Sequence, residues 1–464
     1  MSGDTIAAIA TGGGLAAIGI VRVSGPDAIP VADKIFRMSG GGRLINAESR
    51  KMYYGQLCDS ESGIRNSELL DIGMCTISRK PHSYTGEDTV EFHCHGSPLV
   101  LSQVLQVLFN HGVRQALPGE FTKRAFLNSR MDLTQAEAVI DLIEAETPLA
   151  ASNAAGQLRG AVSIKLESIY NVLIDIMAHF HAVLDYPDED IDDFKLKNYN
   201  NALKDAKIKL SQMLSSFERG RIIRDGVKTA IIGRPNTGKS SLLNALLGYD
   251  RAIVTDVPGT TRDTIEEKIL IGNVLLRLID TAGLRDTDEL VEKLGVERSM
   301  SALQNAGLIL LVLDATRELQ DGELDVLKDA PEGVPVIVLI NKMDLEQCVK
   351  NSEFGIRNSE LSVLKISALT GEGLPDLEAT IQTLFPGPDT SEIGEIITNT
   401  RQYEAIKRAK TAISEALTAI KSSLTPDIVL TEVEAAINAI GEVTGKSMRE
   451  DIISRIFKRF CVGK

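Results

Sequence analysis

Apolar positions change period along the chain, and each change marks a boundary. Up to about residue 130, β-rich runs (18-IGIVRVSG-25, 72-IGMCTIS-78, 89-TVEFHCHG-96) alternate with helical stretches such as 98-PLVLSQVLQVLFNHG-112. That alternation predicts an α/β or α+β domain. From about 131 the period is helical, and apolar positions 162, 166, 169, 173, 177, 180 and 184 draw one long buried stripe. The run 186-YPDEDIDD-193 breaks it and reads as a solvated loop, followed by a helical stretch over about 198–222. Strand patterns return at 227-VKTAIIG-233, 274-VLLRLI-279, 334-VPVIVLI-340 and 363-VLKI-366. Helical periodicity then resumes at 401-RQYEAIKRAKTAISEALTAIKSS-423 and runs through 429-VLTEVEAAINAIGEV-443 to the end. The simplest architecture is multidomain, α/β and all-α: an N-terminal domain over 1–130, and a helical domain over 131–224 and 388–464 split by an insert at 225–387.

The insert opens on 233-GRPNTGKS-240, which fits the phosphate-loop spacing of Gly, four variable residues, then Gly-Lys-Ser. A buried strand precedes it, and the amphipathic run 240-SSLLNALLG-248 follows, with Gly248 read as a C-terminal cap. Backbone N–H groups of such a loop and of the helix start face an anion. Lys239 adds a point charge for the β- and γ-phosphates, and Ser240 a hydroxyl for Mg²⁺.

Further motifs follow in order, each after a strand pattern or in a switch position. Thr261, in 255-TDVPGTTRD-263, is placed to give the second Mg²⁺ hydroxyl and to close over the γ-phosphate. In 280-DTAG-283, Asp280 can hold Mg²⁺ through water and the Gly283 N–H can sense the γ-phosphate. In 341-NKMD-344, Asp344 can accept from both guanine N1–H and the N2 amino group, a donor pair adenine lacks. Asn341 can address O6/N7, and the Lys342 stem can lie over the ring. A backbone N–H of 367-SAL-369 can reach O6. The expected ligand is GTP, in a Ras-like P-loop G domain. Its contacts are expected from Asn236, Thr237, Gly238, Lys239, Ser240 and Ser241; from Thr255, Asp256, Val257, Pro258, Gly259, Thr260 and Thr261; from Asp280, Thr281, Ala282 and Gly283; and from Asn341, Lys342, Asp344, Ser367, Ala368 and Leu369. Ras-type proteins place a water-orienting Gln where this chain has Leu284. Asp286, Asp288, Glu289 and Glu292 are the nearby acids that could replace it, and their types alone do not rank them.

Composition narrows the setting. The net charge of −14 argues against coating nucleic acid by charge alone. No apolar run reaches the ~18 residues needed to span a bilayer, and the N-terminus lacks the basic start of a secretory signal. Five scattered cysteines without a CxxC pair suit a reducing cytoplasm. His93 and His95 would share one strand face, but no further Cys/His cluster completes a metal site, so a turn or core role is expected. Arg22 and Glu91 each interrupt an apolar strand and lie either on a solvent face or in a site. The heptapeptide GIRNSEL, at 63–69 and again at 355–361, reads as a tolerated loop insertion.

The ordered GTPase motifs, 85-TGEDTVEFHCHGSP-98, 118-PGEFTKRAFLNSRMDLTQAEA-138 and the terminal 461-CVGK-464 together resemble the MnmE (TrmE) family of bacterial tRNA-modification GTPases, end to end. The resemblance implies a folate-binding, dimerising N-terminal domain, a helical domain and an inserted G domain. It implies K⁺ activation, with Asn236, Thr255, Val257 and Thr260 as K⁺ ligands, Ser240 and Thr261 on Mg²⁺, and Glu292 orienting the water; Lys239, Thr261 and Cys461 join Glu292 in the catalytic set. It places a tetrahydrofolate derivative (the 5-formyl or 5,10-methylene form) on Arg22, Glu91, Arg130 and Lys464, although the family often has Lys where this chain has Arg130. It puts Cys461 in the modification chemistry, whereas by residue type alone Cys461 is equally a small buried apolar residue. The implied function is modification of C5 of the wobble uridine (position 34) of certain tRNAs. A homodimer would work with an FAD-holding partner resembling MnmG (GidA), as a heterotetramer. The competing expectation is a ribosome-assembly GTPase switch, which would need an RNA-binding module such as a KH domain. No GXXG loop in a basic context is present.

Overall fold

The structure is a computed structural model. It describes residues 3–59, 68–185, 193–249, 267–279, 303–319, 323–324, 329–347, 361–389, 392–422, 424–447, 453, 456–458 and 460–463. The chain divides into two compact units. One comprises Met1–Ile140, Gln157–Lys204 and Arg408–Lys464; the other comprises Asp141–Gly156 and Asp205–Lys407.

The first unit opens with β1 (Ile6–Ile9), β2 (Ala16–Ser24), α1 (Ala28–Ile35), β3 (Phe36–Met38), β4 (Met52–Asp59), β5 (Glu68–Ser78), β6 (Thr89–Gly96), α2 (Pro98–Asn110), β7 (Arg114–Gln115), α3 (Glu120–Leu127) and α4 (Leu133–Ile143). The seven strands form one sheet in the order β3-β4-β5-β6-β2-β1-β7, antiparallel except where β7 joins β1. Alternation sends Val21, Val23, Val90, Phe92 and Cys94 to one face, where α1 and α2 bury them with Ile29, Ile35, Val104 and Leu108. Near β1 the opposite face is closed by Ala116 and Phe121, which pack on Ile6 and Ala8. Across β4, β5 and β2 it stays open, with Ile18 60% and Tyr54 57% exposed.

Helices α5 (Pro148–Leu158), α6 (Ala161–Asp185), α7 (Asp193–Ser215) and α8 (Phe217–Asp225) follow. The α6 stripe is formed by Val162, Leu166, Ile169, Leu173, Ile176 and Phe180. Ile176 takes the buried place expected of Met177, which is only half-buried. Steps of 4, 3, 4, 3 and 4 through 176 and of 4, 3, 4, 4 and 3 through 177 both average 3.6 residues, so the period admits either and packing selects Ile176. The side chain of residue 184 lies outside the described residues, as does the expected acidic loop except Asp193, which opens α7. The first GIRNSEL copy is not wholly a loop, since Glu68 and Leu69 belong to β5. The rest of it, and the second copy apart from Leu361, lie outside the described residues.

In the second unit, β8 (Val227–Ile232), α9 (Lys239–Tyr249), β9 (Glu267–Ile271), β10 (Val274–Leu278), β11 (Leu308–Asp314), β12 (Val336–Asn341), β13 (Ser362–Lys365) and α10 (Leu374–Leu384) form a Ras-like α/β layer. Its six strands run in the order β13-β12-β11-β8-β10-β9, and only the β9–β10 hairpin is antiparallel. β11 and β12 are buried along nearly their whole length, which accounts for their unbroken apolar runs. Between β8 and β11 the order reverses direction, and ligands of such sheets bind at that switch point. Gly248 lies inside α9, not beyond its end; the helix continues to Tyr249. The remaining long helices are α11 (Thr400–Lys421) and α12 (Pro426–Thr444). α12 has Pro426 in its first turn and Gly445 at φ +87° after its end.

Candidate nucleotide site and a second site on the N-terminal sheet

The loop from β8 to α9 occupies the switch point. Asn236 at φ +67° and Gly238 at φ +94° turn it through the left-handed region, which Asn tolerates and Gly prefers. A Cβ on Gly238 would stand 2.2 Å from Asn341 Nδ2, so only glycine lets that amide rest on the loop. Thr237 is buried, and its Oγ1 donates to Arg234 O at 3.0 Å. The Lys239 ammonium donates to Gly233 O and Arg234 O, both at 2.8 Å. Burial lowers its pKa, so an anion in the loop would relieve the cost of its charge. Asn236, Ser240 and Ser241 are exposed at the loop's mouth. This cradle of glycine, backbone and cation fits a phosphate chain.

The base-reading loops meet the phosphate loop through Asn341. Its Nδ2 donates to Thr237 O, and its Oδ1 accepts from Ala368 N, both at 2.9 Å. Buried at the end of β12, Asn341 ties the loops together. Ser367 Oγ donates to Asp344 Oδ1 at 2.6 Å and aims that carboxylate. Leu369 is 83% exposed. Lys342, at φ +69°, donates through Nζ to Asp314 Oδ2 at 2.6 Å. Burial alone would raise the Asp314 pKa, but hydrogen bonds from Lys342 and Thr316 hold the carboxyl below its usual value. Reading by motif missed Asp314 and Thr316, although their place just past the apolar run of β11 is visible in the sequence. Thr255, Asp256, Val257, Pro258, Gly259, Thr260, Thr261, Asp280, Thr281, Ala282, Gly283, Glu292 and Lys464 lie outside the described residues.

A second candidate site stands on the N-terminal sheet. One row of paired residues crosses it: Ala8 on β1, Arg22 on β2, Glu91 on β6 and Thr76 on β5. Arg22 Nε donates to Glu91 Oε1 at 2.8 Å. The guanidinium lies 5.4 Å from the Tyr84 ring centroid and 5.7 Å from that of Phe121. These charges are therefore a half-buried pair in an aromatic corner, not solvent-face residues. Tyr84 shares a 2.9 Å hydrogen bond with Thr122 Oγ1, and burial raises its pKa. Arg130 is exposed, and its Nε donates to Ser83 O at 3.2 Å, in the turn that carries Tyr84. Behind the pair, Arg124 binds Asp4, Glu87 and Glu120, and Glu87 accepts from Ser24 Oγ. The histidines play neither the turn nor the core role expected of them, because both project from β6 on this face. His95 Nδ1 lies 2.7 Å from Asp71 Oδ1 and is exposed, whereas His93 is half-buried. No group of three metal-ligating side chains occurs among the described residues.

The C-terminal tail is laid against β1 and the turn before α3. Phe457 and Phe460 are buried with Leu133 and Ala136. Gly119 N donates to Cys461 O at 3.2 Å, and a Cβ on Gly463 would stand 2.2 Å from Ile9 O. Ile9 follows Ala8, the β1 partner of Arg22. Cys461 is exposed, which overturns the reading of it as a small buried apolar residue.

Two family models match, "GTP-binding protein TrmE N-terminus" over residues 5–130 and "MnmE helical domain" over residues 133–461. The chain is 44% identical over 462 residues, 99% of each chain, to the tRNA modification GTPase MnmE of Thermoanaerobacter pseudethanolicus. The chain belongs to the MnmE family. It is also 41% identical over 465 residues, 100% of each chain, to the MnmE of Natranaerobius thermophilus. A likeness to solved structures is more partial: Era in complex with MgGDPNP and a segment of 16S ribosomal RNA is 31% identical, over 40% of this chain and 66% of that one, with a TM-score of 0.28. MnmE relatives match at full length, so membership of that family takes in the N-terminal sheet and the tail as well as the nucleotide loop.

Proposed function

We propose that this MnmE-family chain uses GTP hydrolysis to gate modification of C5 of the wobble uridine of certain tRNAs, with a tetrahydrofolate as one-carbon donor. GTP hydrolysis in tRNA modification is the activity its relatives are named for. The observation that carries the finer reading is the tail: the carbonyl of exposed Cys461 accepts from Gly119 N, and Gly463 lies on Ile9, next in sequence to the β1 partner of the Arg22–Glu91 pair and remote in sequence from the nucleotide loop. Glu91 suits the amino and N–H donors of a pterin, and Arg22, Arg130 and Lys464 suit folate carboxylates. A ribosome-assembly switch would have no use for such a corner.

In the nucleotide site, Lys239 and the loop N–H groups hold the phosphates, Ser240 and Thr261 hold Mg²⁺, and Asp344 reads guanine. We assign Asn236, exposed at a left-handed bend, to K⁺ together with Thr255, Val257 and Thr260. When bound, K⁺ supplies positive charge beside the β- and γ-phosphates. Glu292 orients the attacking water, since Leu284 cannot. We take the domain boundaries as 1–130, 131–224, 225–387 and 388–464, and place the chain in the cytoplasm. No helix among the described residues is long and apolar enough to cross a membrane. The open apolar face of Ile18, Tyr54, Ile72 and Met74 supports a homodimer formed through the N-terminal sheet. A flavoprotein resembling MnmG (GidA) brings FAD and much of the tRNA contact, consistent with the charge of −14.

GTP turnover in KCl against NaCl tests the ion. We expect turnover to be at least ~10-fold faster in KCl, with the advantage abolished by Asn236→Ala and turnover itself lost in Glu292→Ala. Equal rates in the two salts would remove K⁺ from the mechanism. Mass analysis of tRNA nucleosides after gene deletion tests the rest, with an unmodified wobble uridine expected. Intact tRNA with defective ribosomal subunits would favour the assembly switch instead.

A further inference from the structure

We propose that His93 is a positioning residue of the second site, holding the free oxygen of Glu91 so that the carboxylate presents a fixed pair of acceptors. The inference rests on the folate reading and adds to it a residue that reading did not use. On β6, His93 lies two residues from Glu91 on the same face, between Ile20 of β2 and Met74 of β5. Its Nε2 is shut off from solvent and has no hydrogen-bond partner, an arrangement that calls for a reason in a folded protein. That nitrogen faces Glu91 Oε2 at 3.8 Å, slightly beyond hydrogen-bond range. The other oxygen, Oε1, is already held by Arg22 Nε at 2.8 Å.

The carboxylate thus stands between two side chains, one on each oxygen. Small rotations of Glu91 and His93 close the remaining gap. Gripped at both ends, the carboxylate cannot swing, yet each oxygen keeps a lone pair for a ligand. Two coplanar acceptors match a ring that offers an amino N–H and a ring N–H side by side, as a 2-amino-4-oxopteridine does. His95 does not share this task, since its Nδ1 is engaged by Asp71.

Binding of 5-formyltetrahydrofolate to the full-length chain, measured by calorimetry, tests the proposal with His93→Ala and His93→Gln. The glutamine amide can reach the same point as the imidazole Nε2 and donate there. We expect the alanine variant to bind ~10-fold or more weakly, the scale of one hydrogen bond to a charged group, and the glutamine variant to recover most of the loss. Parent-like affinity in His93→Ala overturns the proposal, as does a glutamine variant no better than alanine, which would mean that the ring only fills space. A second measurement needs no ligand. The imidazole ¹⁵N resonances of the parent are compared with those of Glu91→Gln; a shift at His93 Nε2 is expected, and an unchanged signal sinks the contact. A parent that does not bind the folate would defeat the folate reading, while the spectra still decide whether His93 holds Glu91.

Discussion

Asp344 and Asn341 show how far a short motif reaches. Asn-Lys-Met-Asp after an apolar strand announces a guanine reader, because one carboxylate can accept from two adjacent N–H donors that adenine cannot offer together. Ser367 holds that carboxylate in place. Replacing Asp344 with Asn puts an amide donor against the guanine amino group. GTP affinity should fall ~10- to 100-fold, the scale of a lost charge-assisted contact, while xanthosine triphosphate, with an acceptor at that position, should gain. Nucleotide competition measures this, and an unchanged preference for GTP would take base reading away from Asp344. The bridging role of Asn341 was not legible. It depends on the sheet order β13-β12-β11-β8, which brings the loop after β13, with Ala368, and the loop after β8, with Thr237, to its two amide ends.

At the level of helices and strands, local pattern carried most of the information. The strand-loop-helix of the phosphate site is contiguous, so its glycines, lysine and apolar flanks identify it without distant contacts. Helix phase was read less well, because Ile176 and Met177 both lie within reach of the stripe and only packing chooses between them. The choice has a measurable consequence. Ile176→Ala should cost about 2–5 kcal/mol of unfolding free energy, as for a fully buried aliphatic side chain. Met177→Ala, at a half-buried position, should cost distinctly less. Urea unfolding followed by circular dichroism compares the two, and equal losses would contradict the observed phase of α6.

Taken as a whole, the molecule joins its last residues to its first strand. Deleting residues 461–464 removes the groups seated on Ile9 and Gly119, so binding of a folate probe should weaken ~10-fold or more, on the scale of lost charged contacts. GTP turnover should persist, since the tail contacts fall on β1 and on Gly119, just before α3. Calorimetry and a phosphate-release assay read the two activities separately. Undiminished folate binding would detach the tail from the site. Period and local motif were enough to read the class of the fold, the order of its parts and the guanine nucleotide, because each is written in neighbouring residues. The pairing of Arg22 with Glu91, the exposure of Cys461, the bridge made by Asn341 and the unpartnered nitrogen of His93 could not be read that way. Each depends on strand register or on contacts between segments far apart in the chain, and no local pattern of residues specifies which distant neighbour packing will bring.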